Sequence, residues 1–363
     1  MQTLSPTSKL LLRSLPRLLE YKQALVLVNP PADSLIRELF SEGISNLSIW
    51  SHDYHIYQYI KNDTKELTLD IDFTANIQIS GNQKPGMAII FLPREKPFLD
   101  YLVAQTLGAL RPGATVWLVG ENRAGIRSSA KRLANLSGTA VTKLDSARHC
   151  SLLETTIRTD HQDTEHVLAE TQSGFELEFN QQSWEFTTLP GVFSCGRMDP
   201  ASQMLLHSLE KQAVRGKVLD FACGCGVLGI CASSLQPGIS LDLLDVSAMA
   251  LTSTELNIHQ AALPPGKVNI FASDAYSAVR DRYDAIISNP PFHRHTRQTL
   301  EVSERLILQA PLHLKPRGEL RIVANRHLPY LKLFQQTFRK VEILNSDRNF
   351  HVILGKYPFT HRT

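Results

Sequence analysis

The stretch KVLDFACGCGVLG, residues 217–229, joins an apolar segment to a glycine-rich turn and a second apolar segment. Its first five residues predict a buried strand, and its last residues predict the start of a helix. Glycine at 224 and 226 indicates a turn where the backbone passes close to a ligand, because larger side chains would collide with it. The stretch is typical of an α/β unit that binds a nucleotide, although the glycine spacing alone is a weak signal.

Six further segments extend this unit and predict an α/β fold with helices between the strands. The second strand ends in Asp245, 19 residues past Gly226, which is a suitable spacing for a carboxylate that binds ribose hydroxyls. The last two strands, joined by NSDR, predict a closing antiparallel pair. The predicted strands are 239–245, 267–271, 283–288, 318–324, 339–344 and 350–357.

An earlier part of the chain repeats this plan. The paired segments are 88–93 with 285–290, and 111–119 with 316–323. We therefore predict two tandem copies of one Rossmann-like α/β unit, with chance similarity between two α/β units as the alternative. The first copy lacks the glycine turn and has Ser51 where the second has Asp245, so we interpret it as degenerate.

The comparison of the two copies divides the chain into three parts. We predict a degenerate first copy over 1–150, a linker with short antiparallel strands over 151–190, and the copy that carries the site over 191–363. Within the third part, Asp199 and Pro200 form a good helix start, with aspartate as the N-cap and proline at the first helical position.

Composition and charge narrow the class of protein. The 363 residues are 43% hydrophobic and 20% charged, and no apolar run of about 18 residues occurs, so we expect a cytoplasmic protein that makes no membrane contact. From Arg280 onward, 15 Lys/Arg stand against 7 Asp/Glu. This basic segment favours a polyanionic partner, and a solvated basic face without a partner is the alternative.

The five cysteines form neither a disulfide framework nor a common metal pattern. Cys223, Cys225 and Cys231 have the spacing CxC-x5-C, which matches no common zinc site, and no histidine lies near them in the chain. We interpret them as small apolar side chains around the turn, and we expect reduced thiols and no bound metal.

The stretch ISNPPFHRH, residues 287–295, ends the fourth strand of the second copy. Its two prolines keep the backbone extended and offer no N–H, so the Asn289 side-chain oxygen and the Pro290 carbonyl become two fixed acceptors. Two such acceptors hold both hydrogens of an exocyclic amine and aim its lone pair at an electrophile. Phe292 supplies a ring on which a base can stack. The residues expected to meet phosphates are His293, Arg294, His295 and Arg297.

Acid-tipped strands and a glycine turn suit NAD and S-adenosylmethionine equally, since both molecules carry adenosine. Three features favour S-adenosylmethionine. Asp220 lies inside the strand before the glycines, where it would repel a pyrophosphate. The unit is a single Rossmann-like half closed by an antiparallel pair, and the fourth strand ends in Asn-Pro-Pro-Phe.

Several stretches together resemble those of one family. The second copy resembles class I S-adenosylmethionine-dependent methyltransferases with the NPP[FY] signature. The whole chain resembles the bacterial ribosomal RNA small-subunit methyltransferase C family through LPGVFSCGRMDPASQMLL (189–206), VLDFACGCGVLG, SNPPFH and GELRIVAN. This resemblance implies two tandem class I methyltransferase domains, the second with a seven-stranded, mostly parallel sheet and an antiparallel last strand.

The resemblance also implies methylation of a guanine N2 in 16S ribosomal RNA of the small subunit, with a first domain that assists folding or RNA binding without cofactor. We expect the enzyme to be a monomer. The family usually has glycine at the position of Ala222, and we expect a methyl group to be tolerated there if φ is negative. The implied cofactor-binding residues are Asp220, Ala222, Cys223, Gly224, Gly226, Asp245, Val246, Asp274, Ala275 and Asn289, and the implied catalytic residues are Asn289, Pro290 and Phe292.

Two alternatives stay open. The NPP[FY] signature is also typical of adenine-N6 and protein-glutamine methyltransferases, although the basic segment 280–363 favours nucleic acid over protein as the substrate. The second alternative is a non-catalytic RNA-binding or assembly protein that kept the fold. Against it, the second copy keeps the cofactor positions that the first copy has lost.

Overall fold

The computed structural model describes residues 3–21, 24–77, 84–93, 95–158, 170–291 and 297–359, with backbone alone at 297–300. The chain divides into two compact units, Met1–Gln172 and Ser173–Thr363. Each unit has its own seven-stranded sheet and its own buried apolar cluster. Among the residues described, no helix combines the length and the apolar character that a membrane crossing requires.

In the first unit, helices alternate with the strands of one sheet. The helices are α1 (Pro6–Arg13), α2 (Leu15–Glu20), α3 (Leu35–Ser41), α4 (Tyr54–Asp63), α5 (Lys96–Ala109) and α6 (Ile126–Ser137). The strands are β1 (Leu25–Val28), β2 (Leu47–Ser51), β3 (Asp70–Phe73), β4 (Met87–Phe91), β5 (Thr115–Glu121), β6 (Thr142–Ala147) and β7 (Cys150–Thr156). The sheet order is β3-β2-β1-β4-β5-β7-β6, and β7 pairs antiparallel with both of its neighbours.

The second unit begins with a hairpin and then repeats the plan of the first. The helices are α7 (Pro200–Lys211), α8 (Val227–Leu235), α9 (Ala248–Gln260), α10 (Arg297–His313) and α11 (Tyr330–Thr337). The hairpin strands are β8 (Ser173–Phe179) and β9 (Gln182–Thr188). The sheet strands are β10 (Lys217–Phe221), β11 (Ser240–Asp245), β12 (Val268–Ala272), β13 (Tyr283–Ser288), β14 (Leu314–Asn325), β15 (Phe338–Ser346) and β16 (Phe350–Pro358). The sheet order is β12-β11-β10-β13-β14-β16-β15, parallel except at β16.

The two sheets have the same strand order, which confirms the predicted duplication of one α/β plan. The ends of β2 and β11 also make the same local hydrogen bond. Ser51 Oγ accepts the backbone N–H of Asp53 (3.1 Å), and Asp245 Oδ1 accepts that of Ser247 (2.9 Å). Ser51 is therefore the counterpart of Asp245, in agreement with the sequence comparison.

The strand registers correct one detail of that comparison. Ile49, two residues before Ser51, pairs with Leu27. Leu243, two residues before Asp245, pairs with Asp220. Ile89 pairs with Leu27 and Ile287 pairs with Asp220, so these two isoleucines are equivalent. The sequence comparison of 88–93 with 285–290 is therefore wrong by one residue. A strand that is buried on both faces has no alternation of apolar and polar residues that would fix its register.

The unit boundaries also differ from the predicted 1–150, 151–190 and 191–363. Strand β7 (Cys150–Thr156) pairs with β5 and β6 inside the first sheet, although its sequence was assigned to the linker. The hairpin of β8 and β9 falls in the second unit. The sequence of a short strand of mixed composition does not indicate which sheet the strand joins, because its pairing partners lie far away in the chain.

Candidate active site

The turn after β10 has backbone conformations that few side chains adopt. Gly224 has a φ of 58° and Gly226 a φ of 80°. A Cβ atom at Gly226 would lie 3.0 Å from Thr254 Cγ2, whereas a Cβ atom at Gly224 would meet no atom within 4 Å. The backbone at Gly224 therefore borders open space.

Asp220 is the buried acid beneath this turn. Its side chain is fully buried, and its Oδ2 atom accepts the backbone N–H of Gly229 in α8 at 2.8 Å. Its Oδ1 atom is buried without a hydrogen-bond partner within the described ranges. Burial raises the pKa of the carboxyl to about 7, the Gly229 N–H opposes this shift, and the negative charge of Asp245 adds to it. The protonation state near neutral pH therefore depends on what contacts Oδ1.

Ala222 lies in the left-handed region, with a φ of 57°, so the condition of a negative φ, under which a methyl group was expected to be tolerated, is not met. A side chain with a Cβ atom costs about 1–2 kcal/mol in this region. The equivalent residue of the first unit is Asn29, which also has a positive φ, of 58°. The fold therefore imposes this conformation in both copies, and the second copy accommodates it with alanine.

Replacing Ala222 with glycine is expected to raise the free energy of unfolding by roughly 0.5–1 kcal/mol. Glycine removes the left-handed strain but adds conformational entropy to the unfolded chain, so only part of the strain is recovered. Denaturant unfolding followed by circular dichroism measures the change. Ala134→Gly in α6, a helical position, is the control and should lower the same quantity. A lower stability for Ala222→Gly would contradict the backbone assignment.

Asp245 lies on the other side of the turn, at the end of β11. Its Oδ2 atom accepts the backbone N–H of Gly224 at 3.0 Å, and its Oδ1 atom accepts that of Ser247 at 2.9 Å. The carboxylate is only partly buried, as is its neighbour Val246. The structure thus brings Gly224 and Asp245, which are distant in sequence, to one edge of the sheet.

Asp274 follows the end of β12 and forms an ion pair that the sequence did not predict. Arg305 on α10 donates from Nη1 to Asp274 Oδ1 at 3.0 Å and from Nη2 to the Asp274 carbonyl at 3.3 Å. Ala275 is buried and has a φ of 49°. The loop after β12 is therefore held at the same edge of the sheet as Asp245.

Asn289 follows β13 and is held by α7. Its Nδ2 atom donates to Asp199 Oδ2 at 2.8 Å and to Ser202 Oγ at 2.7 Å. Its Oδ1 atom is buried, and no described residue forms a hydrogen bond with it. Just before it, Ser288 Oγ donates to the Phe221 carbonyl at 2.6 Å and joins β13 to the end of β10.

The remaining predicted residues are described only in part. Pro290 is buried, and Pro291 is exposed. The predicted stacking residue and most of the predicted phosphate contacts lie outside the described residues, and Arg297 is described by its backbone alone. The residues outside the description are Phe292, His293, Arg294 and His295.

The three cysteines near the turn are buried. Burial raises the pKa of the Cys225 thiol to about 12 and that of Cys223 and Cys231 well above the ordinary value. The thiols are thus protonated near neutral pH, as expected for small core side chains. Within the described ranges, no three His, Cys, Asp or Glu side chains are grouped so that they could hold a metal ion.

These observations fit the S-adenosylmethionine that the resemblance implies. Asp220 Oδ1 is a buried acceptor without a partner among the described residues, and a buried acceptor without a donor is unfavourable. Open space borders Gly224 between the two strand ends that carry Asp220 and Asp245. A nucleoside with hydroxyl and ammonium donors supplies what such a set of acceptors requires.

The first unit has different residues at the equivalent positions. Leu27 stands in place of Asp220, and Ser51 in place of Asp245. Asn29, at the position of Ala222, donates from Nδ2 to the Phe91 carbonyl at 3.2 Å, so it bridges the ends of β1 and β4. No carboxylate therefore stands at either of these two positions in the first unit.

Comparison with known proteins gives the family. Residues 183–354 match a family model described as methyltransferase small domain, and residues 8–170 match one described as methyltransferase small domain N-terminal. A solved T. thermophilus 16S rRNA N2 methyltransferase in complex with AdoMet and guanosine has a TM-score of 0.80 at 21% identity, over 97% of this chain and 92% of that one. This likeness shows the fold.

Curated relatives are more similar in sequence. A protein named ribosomal RNA small subunit methyltransferase C from Psychromonas ingrahamii is 37% identical over 83% of this chain and 83% of its own length. One of the same name from Acinetobacter baylyi is 33% identical over 92% of this chain and 94% of its own length. The chain belongs to the ribosomal RNA small subunit methyltransferase C family.

Proposed function

We propose that this protein transfers a methyl group from S-adenosylmethionine to the exocyclic N2 of a guanine in 16S ribosomal RNA of the small subunit. The observation that carries the proposal is the orientation of Asn289. Its Nδ2 atom is bound to Asp199 and Ser202, and its Oδ1 atom, next to Pro290, has no partner among the residues that the structure describes. The family supports ribosomal RNA of the small subunit as substrate, and the T. thermophilus protein of the same fold is described as an N2 methyltransferase.

The catalytic residues act on the amino group of the base. Asn289 Oδ1 and the Pro290 carbonyl accept its two N–H groups, which fixes the nitrogen and directs its lone pair away from both oxygens. As the nitrogen gains positive charge, both hydrogen bonds become stronger, so the transition state is stabilised more than the bound substrate. One of these protons then leaves the product to solvent. No strong base is needed, because the protonated product amine is a strong acid.

The cofactor residues lie around the glycine turn. S-adenosylmethionine supplies an electrophilic methyl group when it is bound. Asp245 and Val246 would contact the ribose, and Asp274 with Ala275 would flank the adenine. The residues that would line the methionine moiety are Asp220, Ala222, Cys223, Gly224 and Gly226.

The RNA contacts complete the proposal. Phe292 would stack on the base, which must be unpaired or flipped out of a helix to reach Asn289. The first unit would assist folding or RNA binding without cofactor, and the enzyme would act as a monomer in the cytoplasm. The residues that would meet the phosphates are His293, Arg294, His295 and Arg297.

The two acceptors by themselves do not select guanine, since an adenine amino group offers the same two N–H groups. Mass spectrometry of nucleosides provides the test. Purified protein is incubated with S-adenosylmethionine and with naked 16S RNA, small subunits or whole ribosomes. We expect N2-methylguanosine from at least one of these substrates, and at most a trace of it with Asn289→Ala. N6-methyladenosine, or no product with any of the three, would contradict the proposal.

Asp220 gives the binding of S-adenosylmethionine a pH dependence. Its pKa of about 7 in the free protein means that most Asp220 is protonated at pH 6, whereas the carboxylate binds an ammonium group at Oδ1 much more strongly than the neutral acid does. A cofactor that binds the ionised form gains affinity as pH rises, about fivefold between pH 6 and pH 7. Calorimetry at both pH values measures this change.

Asp220→Asn is the matched variant for this prediction, because it keeps the shape of the side chain and removes its titration. The affinity of this variant should be weaker at pH 7 and nearly the same at the two pH values. A wild-type affinity that does not change from pH 6 to pH 7 would show that Asp220 does not contact the cofactor ammonium.

A further inference from the structure

The proposed reaction needs one particular orientation of the Asn289 amide. An asparagine side chain carries an acceptor oxygen and a donor NH2 group, and rotation by 180° about its last bond exchanges them. The reacting amine offers only N–H donors to the site. An amide with Nδ2 turned toward that amine would oppose donor to donor and could not hold it.

The partners of Asn289 on α7 allow only the productive orientation. Asp199 Oδ2 is a carboxylate oxygen, which accepts hydrogen bonds and cannot donate, so it binds the NH2 group and would repel the amide oxygen. Ser202 Oγ, at 2.7 Å, accepts from the same nitrogen. Both hydrogens of Nδ2 have acceptors, and the amide oxygen is directed away from them.

The two partners are themselves fixed by the first turn of α7. Asp199 is the N-cap residue, and its Oδ2 atom also accepts the backbone N–H of Ser202 at 2.8 Å. At the other end of the helix, the buried Arg321 of β14 donates from Nη1 to the carbonyls of Ser208 and Gln212 at 3.0 and 2.8 Å. Helix α7 is thus held at both ends against the strands that flank the site.

We propose that Asp199 and Ser202 are positioning residues for methyl transfer, which lock the Asn289 amide with Oδ1 toward the reacting amine. The inference rests on the proposed function. Neither residue needs to touch the base or the cofactor, so their removal should lower the turnover number without weakening the binding of either. Helix capping by Asp199 is then a second role of the same oxygen.

Asp199→Ser separates the two roles. Serine caps helices as well as aspartate does, so the stability of α7 should be kept. Its hydroxyl, however, can accept the cap N–H and still donate its own hydrogen to Asn289 Oδ1, so the flipped amide is no longer excluded. We expect kcat to fall about tenfold or more, while the KM for RNA and the Kd for S-adenosylmethionine stay within about twofold of the wild type. Ser202→Ala, which leaves one acceptor in place, should lower kcat by a smaller factor.

A matched control lies in the first unit. Asp53 is the N-cap of α4 and accepts the backbone N–H of Ile56 at 3.1 Å, as Asp199 does for Ser202. Asp53→Ser is the same substitution at the same helical position, in the unit that does not carry Asn289. We expect it to leave kcat, KM and the melting temperature unchanged.

The readouts are steady-state methyl transfer to the RNA substrate, calorimetry with S-adenosylmethionine, and thermal unfolding. An unchanged kcat in an active, folded Asp199→Ser protein would overturn the positioning role. A lower kcat that comes together with a lower melting temperature or a weaker cofactor Kd would overturn it too, because a structural cap explains both. If the wild type itself transfers no methyl group to RNA, the proposed function fails instead.

Discussion

Asn289→Ala is expected to lower the turnover number for methyl transfer about a thousandfold. Loss of one preorganised hydrogen-bonding group at the site of developing charge typically reduces turnover by about 10²–10³-fold, and here the same group also orients the nucleophile. The Kd for S-adenosylmethionine should change by less than about threefold, because the two carboxylates proposed to hold the cofactor, Asp220 and Asp245, lie on other strands. Single-turnover assays with labelled methyl groups, together with calorimetry, measure both quantities.

The control for this prediction is Asn325→Ala. Asn325 ends β14 as Asn289 follows β13, and its Oδ1 atom is also buried without a partner, but it lies outside the residues assigned to the site. We expect it to retain turnover. Substantial turnover in Asn289→Ala would mean that the reacting amine is held elsewhere.

Asp245→Ala is expected to weaken the binding of S-adenosylmethionine about a hundredfold. The substitution removes the carboxylate proposed for the ribose hydroxyls, and hydrogen bonds to a charged group contribute about 1.5–3 kcal/mol. It also removes the two acceptors that hold the backbone N–H groups of Gly224 and Ser247. Calorimetric titration of the folded variant gives the Kd.

Asp281→Ala provides a comparison for the loss of one carboxylate. Asp281 is exposed and forms an ion pair with Lys217, at the opposite end of β10 from the glycine turn. Its removal should leave the cofactor Kd unchanged. If the Asp245→Ala protein binds S-adenosylmethionine as tightly as the wild type, Asp245 does not bind the cofactor.

The strands of the second unit are predicted well from the sequence where an apolar run ends at glycine or proline residues. The segment 217–221 ends at a glycine turn and 283–288 ends at Asn-Pro-Pro, and both strands have these bounds in the structure. The strand predicted at 318–324 extends from Leu314 to Asn325, because pairing with β13 and β16 continues past the apolar core. Local signals fix where a strand passes through the core, and pairing decides its length.

The contacts that complete the site were not predictable from local patterns. Asp199 was recognised as a helix cap, yet its hydrogen bond to Asn289 joins residues 90 positions apart. The ion pair of Arg305 with Asp274 depends likewise on how α10 packs against the sheet. Contacts between side chains at the edge of a sheet produce no periodic pattern in the sequence from which they could be predicted. The positive φ of Ala222 was not predictable for another reason, because alanine favours a negative φ.

A crystal structure of the protein with S-adenosylhomocysteine and guanosine would show directly whether Asn289 and Pro290 hold the reacting amine. We expect the guanine N2 to lie about 2.7–3.2 Å from both Asn289 Oδ1 and the Pro290 carbonyl, with Asn289 Nδ2 still bound to Asp199. A base that lies at the cofactor with its N2 remote from these two oxygens, or protein groups that still enclose Asn289 Oδ1, would contradict this assignment.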